Sequence, residues 1–386
     1  MTPGRQQEVD RAHMARCLEL AEVYRGRTSP NPIVGCVIVD RAGKVIAEGA
    51  HQGPGTDHAE IAALATLKGR RAPGATLYVN LEPCNHQGRT PPCAPVVRDS
   101  GVARVVVGVE DPIADHSGGI LVLRRAKIKV TVGVLAEACA RANRAFLTWS
   151  TARRPAFTLK AAITLDGKIA TVAGKSKWIT GEAARADVMR LRDQHDAVMV
   201  GINTVLADDP WLSARRVHAR NPIRIVVDSH LRTPPNAHLL PNKTGPRTII
   251  ACNSEAPAAR EAALVRHGAE VWRTATHRNG RLDLLKLARK LAAEDILSVL
   301  AEGGGEIHAY LLTHHLADEL VLYIAPKVVG GPAKSWVGGK GLASLTAAHR
   351  FVFDSDPVDL AGDLRLTAVP APGPAPKQFD GEGDDD

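Results

Sequence analysis

Three potential metal ligands place the strongest constraint on how this chain can fold. His58 is followed two residues later by Glu60, and Cys84 and Cys93 come after an apolar segment at residues 76–81. Thiolates and imidazoles are ligands that Zn²⁺ favours, and a catalytic zinc site uses three protein ligands and leaves a fourth position open. The fold must therefore bring residues 58, 84 and 93 together while Glu60 stays free of the metal.

Glu60 lies where a proton carrier is needed. Zinc lowers the pKa of a bound water molecule to about 7, and a nearby carboxylate can accept that proton and pass it to a ring nitrogen and a leaving amine. A His-x-Glu sequence followed by Pro-Cys and a further Cys is typical of zinc-dependent nucleobase deaminases, although the interval from Cys84 to Cys93 is wider than in that pattern. We therefore predict a zinc site for hydrolytic deamination of a nucleobase-like ring.

The order of strand-like and helix-like segments predicts two α/β domains. The 386 residues exceed the length of one typical core, and a polar stretch at residues 148–156 separates a predicted domain at 11–150 from another at 155–370. Residues 1–10 are polar, and we expect them to be loose. Residues 371–386 are rich in proline and acidic residues, which predicts a disordered tail without chemistry.

Hydrophobic periodicity predicts the principal elements of both domains. In the first domain it indicates helices over residues 12–24 and 137–147 and strands over 34–39, 76–81, 104–109 and 128–134. In the second domain it indicates helices over 182–194, 284–293 and 307–312 and strands over 157–163, 197–200, 223–227, 248–251, 270–272, 296–300 and 319–324. The polar segment after residue 200 is predicted to be a loop.

Charge and cysteine content narrow the class of partner and compartment. The formal charge of +8 is spread along the chain, whereas nucleic-acid binders more often carry a basic stripe, so we expect a phosphorylated small molecule and no nucleic acid. Residues 1–10 lack the apolar core of a signal peptide, and no apolar run approaches the ~20 residues of a membrane span, so we expect no membrane association and a cytoplasmic location. Six cysteines do not indicate a disulfide scaffold in a chain of this length. Four of them have apolar neighbours and are predicted to be core thiols, namely Cys17, Cys36, Cys139 and Cys252.

The second domain offers a glycine run instead of a dinucleotide fingerprint. No G-x-G-x-x-G follows its first strand, but Gly303, Gly304 and Gly305 lie between a predicted strand and a predicted helix. Glycines allow close backbone approach, and a helix N-terminus favours a phosphate group. A plain tight turn would have the same residues, so the pattern alone leaves both interpretations open.

Motifs in both halves resemble the bifunctional riboflavin-biosynthesis deaminase/reductase family, over roughly residues 11–370. In the first half they are residues 29–35 (SPNPIVG), 58–60 (HAE) and 82–93 (EPCNHQGRTPPC). In the second half they are residues 159–168 (LKAAITLDGK), 178–180 (WIT), 203–210 (NTVLADDP), 302–304 (EGG), 318–320 (DEL) and 324–326 (IAP). The wide cysteine spacing is the spacing of that family.

This resemblance implies a fold and a function for each half. It implies an N-terminal cytidine-deaminase-like three-layer domain and a C-terminal dihydrofolate-reductase-like α/β domain. The first would use zinc to deaminate a diaminopyrimidinone ribosylamine 5′-phosphate, and the second would use NADPH to reduce the ribosyl group of the product to a ribityl chain. We also expect a homo-oligomer.

In the deaminase half, the resemblance implies a substrate pocket formed by Asn31, His51, His86 and Arg89. The guanidinium of Arg89 also suits a phosphate on chemical grounds. Asn31 could equally form a turn before a proline, and Arg89 could simply be solvated. The segment at residues 111–119 departs from the family, which usually has an Asn-Pro pair and an arginine between glycines there.

In the reductase half, the resemblance implies two sets of contacts. NADPH would be held by Ala162, Trp178, Thr204, Asp208, Ser229, Gly304, Gly305, Glu306, Ile307, His308, Ala309 and Tyr310. The substrate would meet Ser176, Arg192, Leu212, Arg215 and Glu302. Asp208 is also the candidate acid or base near the hydride acceptor, although it could instead be a turn aspartate before Asp209-Pro210.

Two other functions stay open on the residues alone. A nucleic-acid or other nucleobase deaminase with an accessory domain would bind RNA or single-stranded DNA with a steep salt dependence. Alternatively, the zinc would be structural and the second half an interaction module. The wide cysteine spacing argues against the first alternative, and three ligands instead of the four of a closed structural site argue against the second.

Overall fold

In a computed structural model, the chain divides into two compact units between Arg154 and Pro155. The structure describes residues 2–67, 69, 71–88, 90–241, 245–278 and 280–372. Arg89 lies outside these described residues. So do residues 373–386, which make up nearly all of the predicted tail. In the described part of the chain, every helix is too short or too polar to cross a membrane.

The first unit builds one mixed sheet with helices on it. Its elements are α1 (Pro3–Glu22), β1 (Gly35–Val39), β2 (Val45–Ala50), α2 (Ala59–Ala65), β3 (Thr76–Leu81), α3 (Cys93–Asp99), β4 (Arg104–Val109), α4 (Gly119–Arg125), β5 (Lys129–Val132), α5 (Ala136–Ala142) and α6 (Arg144–Ala152). The strand order is β2-β1-β3-β4-β5. Strand β1 pairs antiparallel with β2 and β3, whereas β3, β4 and β5 are parallel.

Helices cover both faces of this sheet. Cys17 of α1 packs in one core with Val37 of β1. The neighbouring Cys36 pairs with Gly49, and a Cβ atom at Gly49 would lie 2.3 Å from the backbone nitrogen of Ala63 in α2. Since successive side chains of a strand point to opposite faces, α1 and α2 lie on opposite sides. The unit therefore has the predicted helix–sheet–helix layering.

The prediction of a loose N-terminus is wrong, because α1 begins at Pro3. The helix has no clear apolar stripe before Asp10, and tertiary contacts hold it in place. The carboxylate of Asp10 is buried and accepts hydrogen bonds from both terminal nitrogens of Arg104, at 2.7 and 2.6 Å, and from Tyr78 Oη at 2.9 Å. A charge pair across 94 residues is not visible as a periodic pattern.

The helix predicted over residues 137–147 is interrupted. Asn143 separates α5 from α6, and its side chain binds the backbone of Ile33, accepting from the nitrogen at 2.8 Å and donating to the oxygen at 3.0 Å. Helix α4 was not predicted at all. The buried free thiols Cys17, Cys36, Cys139 and Cys252 confirm the prediction of core cysteines.

The second unit is built on a larger, mainly parallel sheet. Its elements are β6 (Ala156–Thr164), α7 (Glu182–Gln194), β7 (Ala197–Gly201), α8 (Ile202–Asp208), β8 (Ile223–Val227), β9 (Thr248–Cys252), α9 (Ala258–Arg266), β10 (Glu270–Arg273), α10 (Leu284–Ala293), β11 (Ser298–Ala301), α11 (Gly305–Thr313), β12 (Ala317–Ala325), β13 (Phe351–Phe353), β14 (Val358–Leu360) and β15 (Asp363–Pro370). The strand order is β10-β9-β8-β7-β11-β6-β12-β15-β13, with β14 paired to β15. The strands from β10 to β12 are parallel, whereas β15 pairs antiparallel with its neighbours.

The parallel strands define the edge where a site is expected. Gly201 ends β7 and Glu302 directly follows β11, and these strands are neighbours in the sheet. Ligands of open parallel sheets bind at the carboxyl ends of the strands. The fold therefore brings the segment before α8 and the glycine run before α11 to one edge.

Some elements of this unit differ from the sequence prediction. Residues 202–208 were expected in a loop but form α8, and α9 and strands β13 to β15 were not predicted. Helices α7 and α10 have the predicted bounds. Asp283 begins α10 by accepting hydrogen bonds from the backbone nitrogens of Leu285 and Lys286, both at 3.0 Å.

Two candidate active sites

The structure brings the three predicted metal ligands of the first unit together. His58 immediately precedes α2, Cys84 follows β3, and Cys93 is the first residue of α3. Their ligand atoms all lie within 4.8 Å of one another. The His58 Nδ1 atom is 3.5 Å from Cys84 Sγ and 3.2 Å from Cys93 Sγ. Tetrahedral zinc needs ligand atoms roughly 3.5 Å apart, so this donor set fits the metal.

A neighbouring threonine, for which no role was predicted, orients the imidazole. Thr90 Oγ1 lies 3.3 Å from His58 Nε2, which leaves Nδ1 for the sulfur atoms. The second ring nitrogen of a metal-binding histidine usually has such a partner. The backbone nitrogen of Cys93 also donates to Cys84 Sγ at 3.4 Å. Both contacts fix ligand geometry.

The pKa values of the two neighbouring thiols shift in opposite directions. Hydrogen bonds from Cys93 and His58 outweigh burial and lower the pKa of Cys84. The pKa of Cys93 is raised well above its usual value by the neighbouring Cys84 sulfur and by burial. Cysteine binds zinc as a thiolate, so metal binding should release any proton that the two sulfur atoms hold.

Glu60 is a buried carboxyl beside this cluster. It lies in the first turn of α2 and is 3% exposed. Burial, and then the negative charge of Cys84, raise the pKa of Glu60 to about 7. A buried carboxyl beside the metal ligands is placed to accept and return a proton, which is what acid–base catalysis requires.

Asn31 and His51 form a polar pair near the cluster. His51 Nδ1 lies 3.1 Å from the backbone oxygen of Asp57, which only accepts, so Nδ1 is the protonated nitrogen. His51 Nε2 must then accept from Asn31 Nδ2 at 3.0 Å. Burial lowers the pKa of His51, in keeping with a neutral ring. The Asn31 side chain keeps its oxygen available as an acceptor.

These residues line one cavity of about 270 Å³ in the first unit. Its walls include the predicted residues Asn31, His51, His58, Glu60, Cys84 and His86. They also include residues for which no role was predicted, among them Glu82, Thr90, Asp111, His116 and Phe146. The prediction for Arg89 concerns a residue outside the described part of the chain.

A second cavity, of about 310 Å³, lies in the second unit. The predicted residues that line it are Ala162, Ser176, Trp178, Arg192, Thr204, Asp208, Leu212, Arg215, Glu302, Gly304, Gly305 and His308. Five other residues predicted to bind NADPH do not line it, namely Ser229, Glu306, Ile307, Ala309 and Tyr310. Ile307 and Tyr310 pack instead with the hydrophobic core. The carboxylate of Glu306 pairs with Arg281 at 2.9 Å.

A buried charge cluster forms one wall of this cavity. Arg192 makes two parallel bonds to Glu302, Nε to Oε1 at 2.5 Å and Nη2 to Oε2 at 2.8 Å. Lys160 Nζ lies 3.7 Å from Glu302 Oε2, a contact that the sequence did not predict. Burial alone would raise the pKa of Glu302, but the charges and hydrogen bonds of Arg192 and Lys160 outweigh it and hold the pKa at about 2.

Asp208 lies on the same cavity at the end of α8. Its Oδ1 atom accepts a hydrogen bond from Ser176 Oγ at 3.0 Å, and its backbone oxygen accepts from Lys177 Nζ at 3.2 Å. The turn after α8 is made by Asp209, which has a φ of 41°. The structure therefore gives the turn role to Asp209 and directs the Asp208 carboxylate to a cavity residue.

Two family models match the chain, one in each unit. Residues 7–109 match the cytidine and deoxycytidylate deaminase zinc-binding region. Residues 155–358 match the RibD C-terminal domain. The order of the two matches is the order that the motifs predicted.

Curated relatives and solved structures match over nearly the whole length. The chain is 43% identical to the riboflavin biosynthesis protein RibD of Actinobacillus pleuropneumoniae, over 90% of this chain and 92% of the relative. It is 39% identical to RibD of Escherichia coli (strain K12), over 89% and 95%. The crystal structure of a diaminohydroxyphosphoribosylaminopyrimidine deaminase/5-amino-6-(5-phosphoribosylamino)uracil reductase from Thermotoga maritima superposes with a TM-score of 0.82 and 32% identity, over 95% and 99%. RibD of Acinetobacter baumannii also gives a TM-score of 0.82, with 34% identity over 95% and 100%.

Proposed function

The chain belongs to the family of the riboflavin biosynthesis protein RibD, and we propose which residues of its two units carry out the two reactions of that enzyme. It is a bifunctional deaminase and reductase of riboflavin biosynthesis, with zinc and NADPH as cofactors. The membership confirms the family, the fold class and the cofactors expected from the sequence. We assign the deaminase domain to the unit that ends at Arg154 and the reductase domain to the unit that begins at Pro155.

The two substrates follow from the chemistry of the family. The first unit deaminates a diaminopyrimidinone ribosylamine 5′-phosphate, and the second reduces the resulting 5-amino-6-(5-phosphoribosylamino)uracil to the ribityl compound. Matches that span both units favour this function over a nucleic-acid deaminase with an accessory domain or a non-catalytic interaction module. A small phosphorylated pyrimidine also agrees with the modest positive charge of the chain.

In the deaminase, His58, Cys84 and Cys93 hold zinc, which when bound supplies an activated water molecule. Inside the cavity, Glu60 takes up one proton of the attacking water molecule and delivers it to the ring nitrogen. It then takes up a second proton, from the hydroxyl group added to the ring carbon, and delivers it to the departing amine, which leaves as ammonia. The burial of Glu60 keeps bulk water away from these protons. Asn31, oriented by His51, offers its side-chain oxygen to an N–H group of the pyrimidine.

In the reductase, NADPH supplies the hydride. Opening of the ribosyl group to a ribityl chain also consumes a proton, and we assign its delivery to Asp208, whose carboxylate is oriented by Ser176. Arg192 and Glu302 form a rigid, charged wall that Lys160 completes, and this wall orients the substrate. The remaining NADPH contacts, including Ser229 and Tyr310, stay predictions.

The observation that carries this function is the convergence of His58, Cys84 and Cys93 beside the buried Glu60. The test mixes the protein with zinc, the diaminopyrimidinone phosphate and NADPH, and follows ammonia release and NADPH oxidation separately. We expect ammonia first and NADPH oxidation after it. Oxidation of NADPH without prior ammonia release would contradict the proposed order.

The metal assignment has its own test. We expect Cys84→Ser to weaken zinc binding by about a hundredfold or more, because a hydroxyl replaces one of three soft ligands. Zinc content after dialysis, measured by atomic absorption, reports it. Cys139→Ser is the matched control, since Cys139 is buried in the core and should leave zinc content unchanged. Full zinc content in Cys84→Ser would refute the ligand set.

We also propose a homo-oligomer that works in the cytoplasm. Strand β13 lies at an edge of the second sheet and carries Phe353, which is 72% exposed, and an exposed apolar edge supports pairing with another copy. Six free thiols support a reducing compartment. Sedimentation equilibrium tests the first proposal, because a monomer at micromolar concentration would contradict it. Fractionation of cells tests the second.

A further inference from the structure

The loop between β4 and α4 is tied to the metal-binding segment by one buried carboxylate. Glu82, which directly precedes Pro83 and Cys84, is 6% exposed. Its Oε1 atom accepts from the backbone nitrogens of Gly118 and Ile120, at 3.0 and 2.9 Å, and Oε2 accepts from that of Asp111 at 3.2 Å. Hydrogen bonds to a charged acceptor are strong, so both ends of the loop are fixed against the site.

Backbone packing brings the same loop still closer. A Cβ atom at Gly119 would lie 1.9 Å from the carbonyl oxygen of Pro83, so only glycine allows this approach. The backbone nitrogen of Asn85 donates to the backbone oxygen of His116 at 2.9 Å. The backbone of the loop therefore packs directly against the backbone of the metal-binding segment.

This arrangement stacks two imidazoles at the wall of the cavity. The rings of His86 and His116 have centroids 3.7 Å apart and an interplanar angle of 9°, and both residues line the cavity. His86 Nδ1 is buried and has no hydrogen-bond partner among the described residues. A buried polar atom at a cavity wall needs a partner, and a bound substrate can supply it.

We propose that His116 is a positioning residue of the deaminase, which holds the ring of His86 in the plane that meets a substrate oxygen or nitrogen through Nδ1. The inference rests on the proposed deaminase function and deepens it. Stacked aromatic rings attract each other beyond their buried area, so removal of one ring frees the other to rotate. His116 belongs to the segment at 111–119 that departs from the family pattern. The stacking of His116 on His86 is therefore a feature of this chain.

The test compares His116→Ala and His116→Phe in ammonia release from the diaminopyrimidinone phosphate. We expect KM to rise about threefold to tenfold in His116→Ala, the range that one aromatic pair implies, with kcat nearly unchanged. His116→Phe keeps a flat ring and should restore KM. In a His86→Ala background, His116→Ala should add nothing, because its effect passes through His86. Zinc content and NADPH oxidation on the deaminated substrate should stay at the parent level.

Each alternative result has a definite meaning. Asp115→Ala changes an exposed neighbour in the same loop and should leave KM unchanged, and an equal rise there would overturn the proposal. An unchanged KM in His116→Ala, a defect of equal size in His116→Phe, or effects of His86→Ala and His116→Ala that multiply would also overturn it. If the parent protein releases ammonia, only this inference fails in those cases. A zinc-loaded parent without ammonia release would overturn the proposed deaminase function and this inference together.

Discussion

The two sites each contain a buried glutamate, and the two carboxyls have opposite electrostatics. Glu60 in the first unit is 3% exposed, and its pKa is raised to about 7 by burial and the thiolate of Cys84. Glu302 in the second unit has a side chain that is 6% exposed, and its pKa is held at about 2 by Arg192 and Lys160 in spite of burial. Burial alone does not decide the protonation state of a carboxyl, because neighbouring charges can reverse its effect.

The different environments of Glu60 and Glu302 correspond to different roles in the two sites. Glu60 is buried directly beside the metal ligands, where a reaction that moves protons between water, ring and amine requires a carboxyl group that can carry them. Glu302 keeps its charge at any physiological pH and serves as a fixed anchor for two cations. Glu302 therefore does not supply the proton of the second reaction, and we propose Asp208 for that role, whose carboxylate accepts a hydrogen bond from Ser176.

Removal of the proton carrier should have the largest effect. We expect Glu60→Gln to slow ammonia release by about 10³-fold, because the amide cannot accept or return a proton. NADPH oxidation on the deaminated substrate should stay at the parent rate, since that reaction belongs to the other unit. Loss of both activities would contradict two independent sites. Ammonia release at the parent rate in Glu60→Gln would refute the role of Glu60 as the proton carrier.

Removal of the Glu302 carboxylate should mainly lower the stability of the second unit. Glu302→Gln leaves the charges of Arg192 and Lys160 without their partner, and breaking a buried pair costs about 3–5 kcal/mol. Hydrogen-exchange protection of β11 measures the loss, with ammonia release as an internal control for the first unit. Glu306→Gln is the matched control, since its exposed pair with Arg281 contributes little. Equal protection in the two variants would contradict the anchor role.

Asp208→Asn should have a smaller effect on catalysis than the change at Glu60. The amide keeps the shape and the contact with Ser176 but cannot deliver a proton, so we expect NADPH oxidation to slow by about a hundredfold while ammonia release persists. Asp209→Asn, in the adjacent turn, is the control and should retain the rate. If solvent can supply the proton, both variants will oxidise NADPH at the parent rate. That result would refute the assignment of Asp208 as the proton donor.

As the pH falls, the stabilisation that the Glu302 carboxylate provides should decrease gradually. The pKa of Glu302 is about 2 in the folded chain and 4.5 without neighbours, so its stabilisation is complete above about pH 4.5 and is lost as the pH falls towards 2. We expect the stability difference between the parent and Glu302→Gln to shrink by about 2 kcal/mol from pH 7 to pH 3. Hydrogen exchange of β11 at both pH values measures it. A difference independent of pH would show that the carboxylate charge contributes nothing.

The sequence by itself determined the candidate metal ligands and the succession of most elements. Ligand chemistry resides in residue types, so His58, Glu60, Cys84 and Cys93 were recognisable without coordinates. Segments with strong periodicity, such as β3, β4, α7 and α10, have the predicted bounds because their burial pattern is local.

Only the tertiary structure decided the features that depend on distant partners. Helix α1 extends back to Pro3, and its residue Asp10 is bound by the distant Arg104. Helix α5 ends where Asn143 binds the backbone of Ile33. The pKa of Glu302 depends on Arg192, 110 residues away. The ring of His116 stacks on that of His86 from a loop that the carboxylate of Glu82 binds. Electrostatic environment and ring stacking are set by through-space distances of a few ångströms, and spacing along the chain does not specify these.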